Sequence, residues 1–103
     1  MSAAEGRKLL AKKPADLLEK EIRKQVKQYL TMTDWFVFYV LQGVGCYPGI
    51  PDLIVVKGGR VVFVELKTRK GKQSENQKKF QAEVESHGGE YVVVRSLDEA
   101  MAL

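Results

Sequence analysis

The chain has 103 residues, enough for one hydrophobic core and too few for two. Hydrophobic residues make up 45% and charged residues 29%, which argues against a disordered chain, and no apolar run nears the roughly 20 residues of a membrane helix. A net charge of +4 and a pI near 9.2 fit a polyanionic partner, while the lone Cys46 excludes an intrachain disulfide and a cysteine-built zinc site.

In chain order, residues 1–14 read as a flexible basic tail ending at Pro14. They lack the apolar stretch of a secretory signal, so an intracellular setting is expected. Residues 15–103 form the single domain. From Ala15 to about Leu30, the residues Leu18, Ile22, Val26, Tyr29 and Leu30 recur at helical spacing, with Lys20, Arg23, Lys24 and Lys27 on the opposite face. This predicts an amphipathic helix lying on a sheet; its basic face is either a solvated surface or a binding surface. Asp34 to Leu41 is aromatic and β-branched and predicts a first strand. Tyr29, Trp35, Phe36, Phe38, Tyr39 and Tyr91 are assigned to the core. Gln42 to Ile50 is a glycine-rich loop, in which Gly49 is assigned to the site and Tyr47 is the aromatic placed against a ligand.

Leu53 to Val56 and Val61 to Val64 are apolar, β-branched runs separated by Lys57-Gly58-Gly59-Arg60, a two-residue hairpin signal. With Gly58 and Gly59 as the turn, Lys57 faces Arg60 and, counting back, Asp52 faces Glu65. Residues opposite each other on an antiparallel pair share a face, with Cβ atoms about 4.5–5.5 Å apart. Lys67 lies on that face too, because strand side chains alternate. Two facing carboxylates repel unless a counter-charge intervenes, and a divalent metal held by hard oxygen ligands is the obvious one. Beyond them, Thr68 to Gln73 is a basic loop. Ser74 and Gln77 fit a capping box that starts a second helix with Phe80 and Val84 as its buried stripe, and His87-Gly88-Gly89 ends it. Glu90 to Arg95 is a fourth strand, and Ser96 to Glu99 starts a short terminal helix. The order is α-β-β-β-α-β plus a C-terminal helix: an α/β fold with a mixed sheet, covered by helices on both faces.

The Gly49-Ile50-Pro51-Asp52-Leu53-Ile54 segment, followed by Val64-Glu65-Leu66-Lys67 and then Ser74-x-x-Gln77, resembles the virus-type replication-repair nuclease (VRR-NUC) domain of the PD-(D/E)xK superfamily. That resemblance implies a restriction-endonuclease-like fold and a metal-dependent DNA endonuclease. In this reading Asp52, Glu65 and the Leu66 carbonyl hold Mg²⁺ or Mn²⁺, and Lys67 stabilises charge on the phosphate. A helix glutamate also serves the site, either Glu19 or Glu21, with Glu21 the first choice; Glu19 has a competing reading as a capping-box partner of Asp16. Gln77 reaches the site or remains a helix cap; both readings stand. Arg69, Lys70, Lys72 and Lys78, with Tyr47 and Gly49, are the DNA contacts. Stand-alone relatives imply a homodimer acting on branched DNA such as Holliday junctions. The alternatives are a non-catalytic nucleic-acid-binding module with a vestigial site, and a sequence-specific restriction-type nuclease.

Overall fold

The computed structural model describes residues 17–103. The tail predicted at 1–14, and the first residues of the predicted first helix, lie outside the described residues. The elements are α1 (Glu19–Met32), β1 (Phe36–Tyr39), β2 (Leu53–Lys57), β3 (Arg60–Leu66), α2 (Glu75–Ser86), β4 (Glu90–Val94) and α3 (Leu97–Met101). The four strands form one sheet in the order β1-β2-β3-β4, antiparallel except for the parallel pair β3 and β4 that the α2 crossover permits. This is the predicted mixed sheet with the predicted order of elements.

The hairpin register follows from its turn. Gly58 and Gly59 have φ of 57° and 79°, the left-handed pair that a tight two-residue turn needs. Lys57 pairs with Arg60, Val55 with Val62, and Leu53 with Val64. One face of this ladder presents Leu53, Val55, Val62, Val64 and Leu66, and α1 lays Ile22, Val26 and Leu30 on it; all eight side chains are fully buried. Each such side chain contributes about 1.5–3 kcal/mol relative to exposure. Val94 and Ala100 close that core from β4 and α3.

The first strand is shorter than Asp34 to Leu41. Asp34 has a φ of 69°, a left-handed residue that turns the chain out of α1, and the Trp35 N–H donates to the Leu30 carbonyl at 2.9 Å. The chain therefore joins the sheet only at Phe36 and leaves it after Tyr39.

The opposite sheet face also carries a helix, as expected, but is covered only in part. On it α2 stacks Phe80 against Phe63 and Tyr91, with ring centroids 5.7 and 6.2 Å apart. That helix is mostly exposed and has no buried residue, and it leaves the β1–β2 side open. Phe36 and Phe38, assigned to the core, are 65% and 39% exposed, and Tyr39 is also exposed. Which part of this face received a helix depended on where α2 crosses. Trp35 and Tyr91 are buried as expected.

Candidate active site

One step past the β2 ladder, Asp52 stands opposite Glu65, as the turn requires. Each of its carboxylate oxygens has a partner. Oδ2 accepts from the Leu66 N–H at 2.8 Å, and Oδ1 faces an Arg23 Nη at 3.4 Å. The Asp52 carbonyl accepts from the Val40 N–H at 2.9 Å, which fixes the backbone beneath it.

Glu65 is 1% exposed, and its Oε2 is buried without a hydrogen-bond partner. Its pKa is raised from 4.5 to about 9, by burial first of all and then by the hydrogen bond with Asp52 and the charge of Asp52, with the Lys67 charge opposing them. Without a counter-ion the Glu65 carboxyl is therefore protonated at neutral pH and donates to Asp52. The Tyr91 hydroxyl also reaches Glu65 and accepts from Gln73 Nε2 at 3.3 Å; burial, first of all, pushes its pKa up to about 12. Lys67, just beyond β3, is half-buried and within charge range of Glu65.

Of the two helix glutamates, Glu21 folds back so that its Oε2 accepts from the Leu18 N–H at 3.2 Å, serving the start of α1. Glu19 lies 3.9 Å from Arg23, and its charge reaches Glu65. Its capping reading cannot be followed, because Asp16 lies outside the described residues. Gln77 completes the capping box: its Oε1 accepts from the Ser74 N–H at 2.8 Å, and Ser74 Oγ accepts from the Gln77 N–H at 3.1 Å. His87 is the C-cap of α2.

The proposed DNA contacts do not converge on the carboxylates as one cluster. Arg69, Lys70 and Lys72 are exposed on the loop after β3. That loop is pinned by Arg95, whose Nη donates to the Thr68 and Gly71 carbonyls at 2.8 and 2.6 Å. Lys78 lies 3.3 Å from Glu75 on α2. Tyr47 packs edge-on against Phe80, with centroids 5.7 Å apart. Gly49 has a structural reason to be glycine: its φ is +81°, and a Cβ there would run into the Asn76 carbonyl at the start of α2.

Among the described residues, no three His, Cys, Asp or Glu side chains meet in a metal-holding group. The donor set is the Asp52–Glu65 pair with nearby backbone carbonyl. That set fits a hard divalent cation, because a buried carboxylate oxygen without a partner and two facing acidic groups are what such an ion satisfies. Sequence reasoning did not single out Arg23, Gln73, Tyr91 or Arg95 for the site. Arg23, Tyr91 and Arg95 come from elements distant in sequence, Gln73 from the loop after β3, and the only available sign was the basic face of α1.

The comparisons agree with the motif. The model of the VRR-NUC domain family matches residues 4–98. A solved structure described as a VRR-NUC domain superposes with a TM-score of 0.72 at 26% identity, covering 82% of this chain and 91% of that one. No curated protein matches. A family match over nearly the whole chain, joined to a Pro51-Asp52 and Glu65-Leu66-Lys67 hairpin in the expected register, establishes that the chain belongs to the VRR-NUC domain family.

Proposed function

We propose that this nuclease-fold domain is a Mg²⁺- or Mn²⁺-dependent endodeoxyribonuclease that hydrolyses phosphodiester bonds at Asp52 and Glu65. The observation that carries the reading is the buried Glu65 Oε2, without a partner and facing a second carboxylate. A fold does not hold such a pair for stability, because an uncompensated buried acid is costly.

Asp52, Glu65 and the Leu66 carbonyl are the residues that would hold the ion. The chemistry a bound divalent ion supplies is Lewis-acid polarisation of a phosphoryl oxygen and a water acidified towards neutral pH. The Leu66 N–H keeps the Asp52 carboxylate oriented. The Lys67 ammonium offsets negative charge developing on the phosphate. Glu19 is the better placed of the two helix glutamates to share this work, since Glu21 serves the helix start.

Branched DNA as the substrate rests on the family resemblance. A homodimer is supported by the open sheet face, where Phe36, Phe38 and Val61 are exposed, Ile54 and Val56 are half-buried and no charged residue intervenes. An uncharged patch can meet its own two-fold copy without like-charge repulsion. Replacing Phe36 and Phe38 together by Asp is expected to convert a dimer to a folded monomer in sedimentation velocity.

The functional test incubates the protein with duplex, single-stranded, flap and four-way-junction DNA, with and without Mg²⁺ or Mn²⁺, and sizes the products. Metal-dependent cleavage of the junction is expected. Nicking retained by a pure Asp52→Ala preparation overturns the assignment.

A further inference from the structure

The basic face of α1 is not a uniformly solvated surface. Between α1 and β1 lie two neighbouring cavities that share Tyr39. One, of about 350 Å³, is lined by Arg23, Tyr39, Gln42 and Asp52 among others. The other, of about 400 Å³, is lined by Lys24, Lys27, Gln28 and Tyr39 among others. Together they form a groove that runs along α1 and ends at Asp52.

Its cations are organised. Arg23 and Lys27 stand one helical turn apart, about 6 Å along the axis. Both sit over the ring of Tyr39, at 5.9 and 4.6 Å from its centroid. Tyr39 is at the β1 edge, pairs with Leu53 and is 43% exposed, so its ring is a fixed platform beside the chain that leads into Asp52. Arg23 contributes a further sign. Its Nε is buried and has no hydrogen-bond partner, while its Nη faces Asp52. The Arg23 side chain nonetheless stays 39% exposed, and the solvent-facing part of its guanidinium is a donor suited to a phosphate oxygen. Gln42 Nε2 donates to the Ile50 carbonyl at 3.2 Å and closes the loop side. The acidic groups near Arg23 are Asp52 and Glu19, both at the active-site end; the remainder of the groove wall is cationic or neutral.

We infer that the α1–β1 groove is a phosphate track for a nucleic-acid strand, with Arg23 and Lys27 as contacts and Tyr39 as the positioning residue that holds both cations. The track delivers the backbone to Asp52 and Glu65, and in that respect it rests on the hydrolase reading. It is separate from the basic loop of Arg69 to Lys72, none of whose residues lines it.

The test is binding in EDTA, where no cleavage interferes. A fluorescein-labelled single strand and a duplex, each about 20 nucleotides long, are titrated by anisotropy over a salt series. Lys27→Gln is expected to reduce the slope of log affinity against log salt by about 0.7–0.9, the value of one lost phosphate contact. Tyr39→Leu is expected to weaken binding about two- to fivefold, the scale of an exposed cation–π contact, and Tyr39→Phe to restore it. Lys57→Gln, an equal charge loss at the far end of the hairpin, is expected to leave the slope unchanged. Circular dichroism establishes that each variant is folded. Slopes for Lys27→Gln equal to wild type, or equal losses for Lys27→Gln and Lys57→Gln, overturn the track. Cleavage is scored separately. A wild-type protein that cuts no DNA, yet loses slope with Lys27→Gln, overturns the hydrolase reading and supports the track. A protein that cuts DNA while Lys27→Gln and Tyr39→Leu bind like wild type overturns the track alone.

Discussion

The β2–β3 hairpin carries two facing pairs of like ionisable residues, one basic and one acidic, and the fold treats them in opposite ways. At the turn, Lys57 faces Arg60; at the other end, Asp52 faces Glu65. The cationic pair is exposed and each member has found its own relief. Lys57 Nζ donates to the Thr33 carbonyl at 2.7 Å, Arg60 binds Glu90 through two guanidinium nitrogens at 2.9–3.0 Å, and both lie over Trp35. The Arg60 contact raises the pKa of Arg60 and lowers that of Glu90, the mutual signature of a satisfied ion pair. The acidic pair is buried and only Asp52 has a partner on both oxygens. Relief at one end and its lack at the other separates a charge the fold tolerates from one it keeps for a ligand.

Four outcomes test that contrast. The largest concerns cleavage. Asp52→Asn or Glu65→Gln is expected to lower the junction-cutting rate by about 100- to 1,000-fold, the scale of losing one preorganised electrostatic contact. Lys57→Ala with Arg60→Ala is expected to leave the rate unchanged, and single-turnover assays compare them directly.

The second concerns pH. In the metal-free fold Glu65 binds its proton up to about pH 9, whereas the unfolded chain releases it near 4.5. The folded state then holds more protons between these values, so the stability from this group is fully present below about 4.5 and is lost as pH rises towards 9. A thermal-shift series is expected to show Tm falling over that window, with Glu65→Gln flattening the slope. The third outcome follows from the second. Mn²⁺ should raise Tm more at the alkaline end, because it competes with that proton, and the gain should vanish in Glu65→Gln. The smallest effect is at the turn. Arg60→Ala breaks an ion pair that solvent already screens, and Tm is expected to stay within measurement scatter at moderate salt.

The hairpin was legible because its determinants are local. Gly58-Gly59 specifies the turn, the turn specifies the register, and the register places Asp52 against Glu65. The helix starts at Ser74 and Ser96 were legible for the same reason, since a hydroxyl three residues before its amide partner is a short-range pattern. What depended on packing was not. Arg23 meets Asp52 only because α1 crosses the sheet at one angle, and a run of four basic residues cannot say which one turns inward. The choice between Glu19 and Glu21 depended on where α1 begins; with Leu18 as the N-cap, Glu21 falls at the capping position. Phe36 and Phe38 have the composition of core residues, and only the path of α2 leaves them exposed.

The bond from the Leu66 amide to Asp52 Oδ2 ties the backbone ladder to the chemistry. A main-chain proton at the end of β3 senses the charge and direction of a side chain on the neighbouring strand. Its resonance frequency and its solvent-exchange rate should therefore move whenever Asp52 is protonated, turned aside or engaged. This amide is thus a built-in probe of the site, readable by isotope-edited spectroscopy without a substrate.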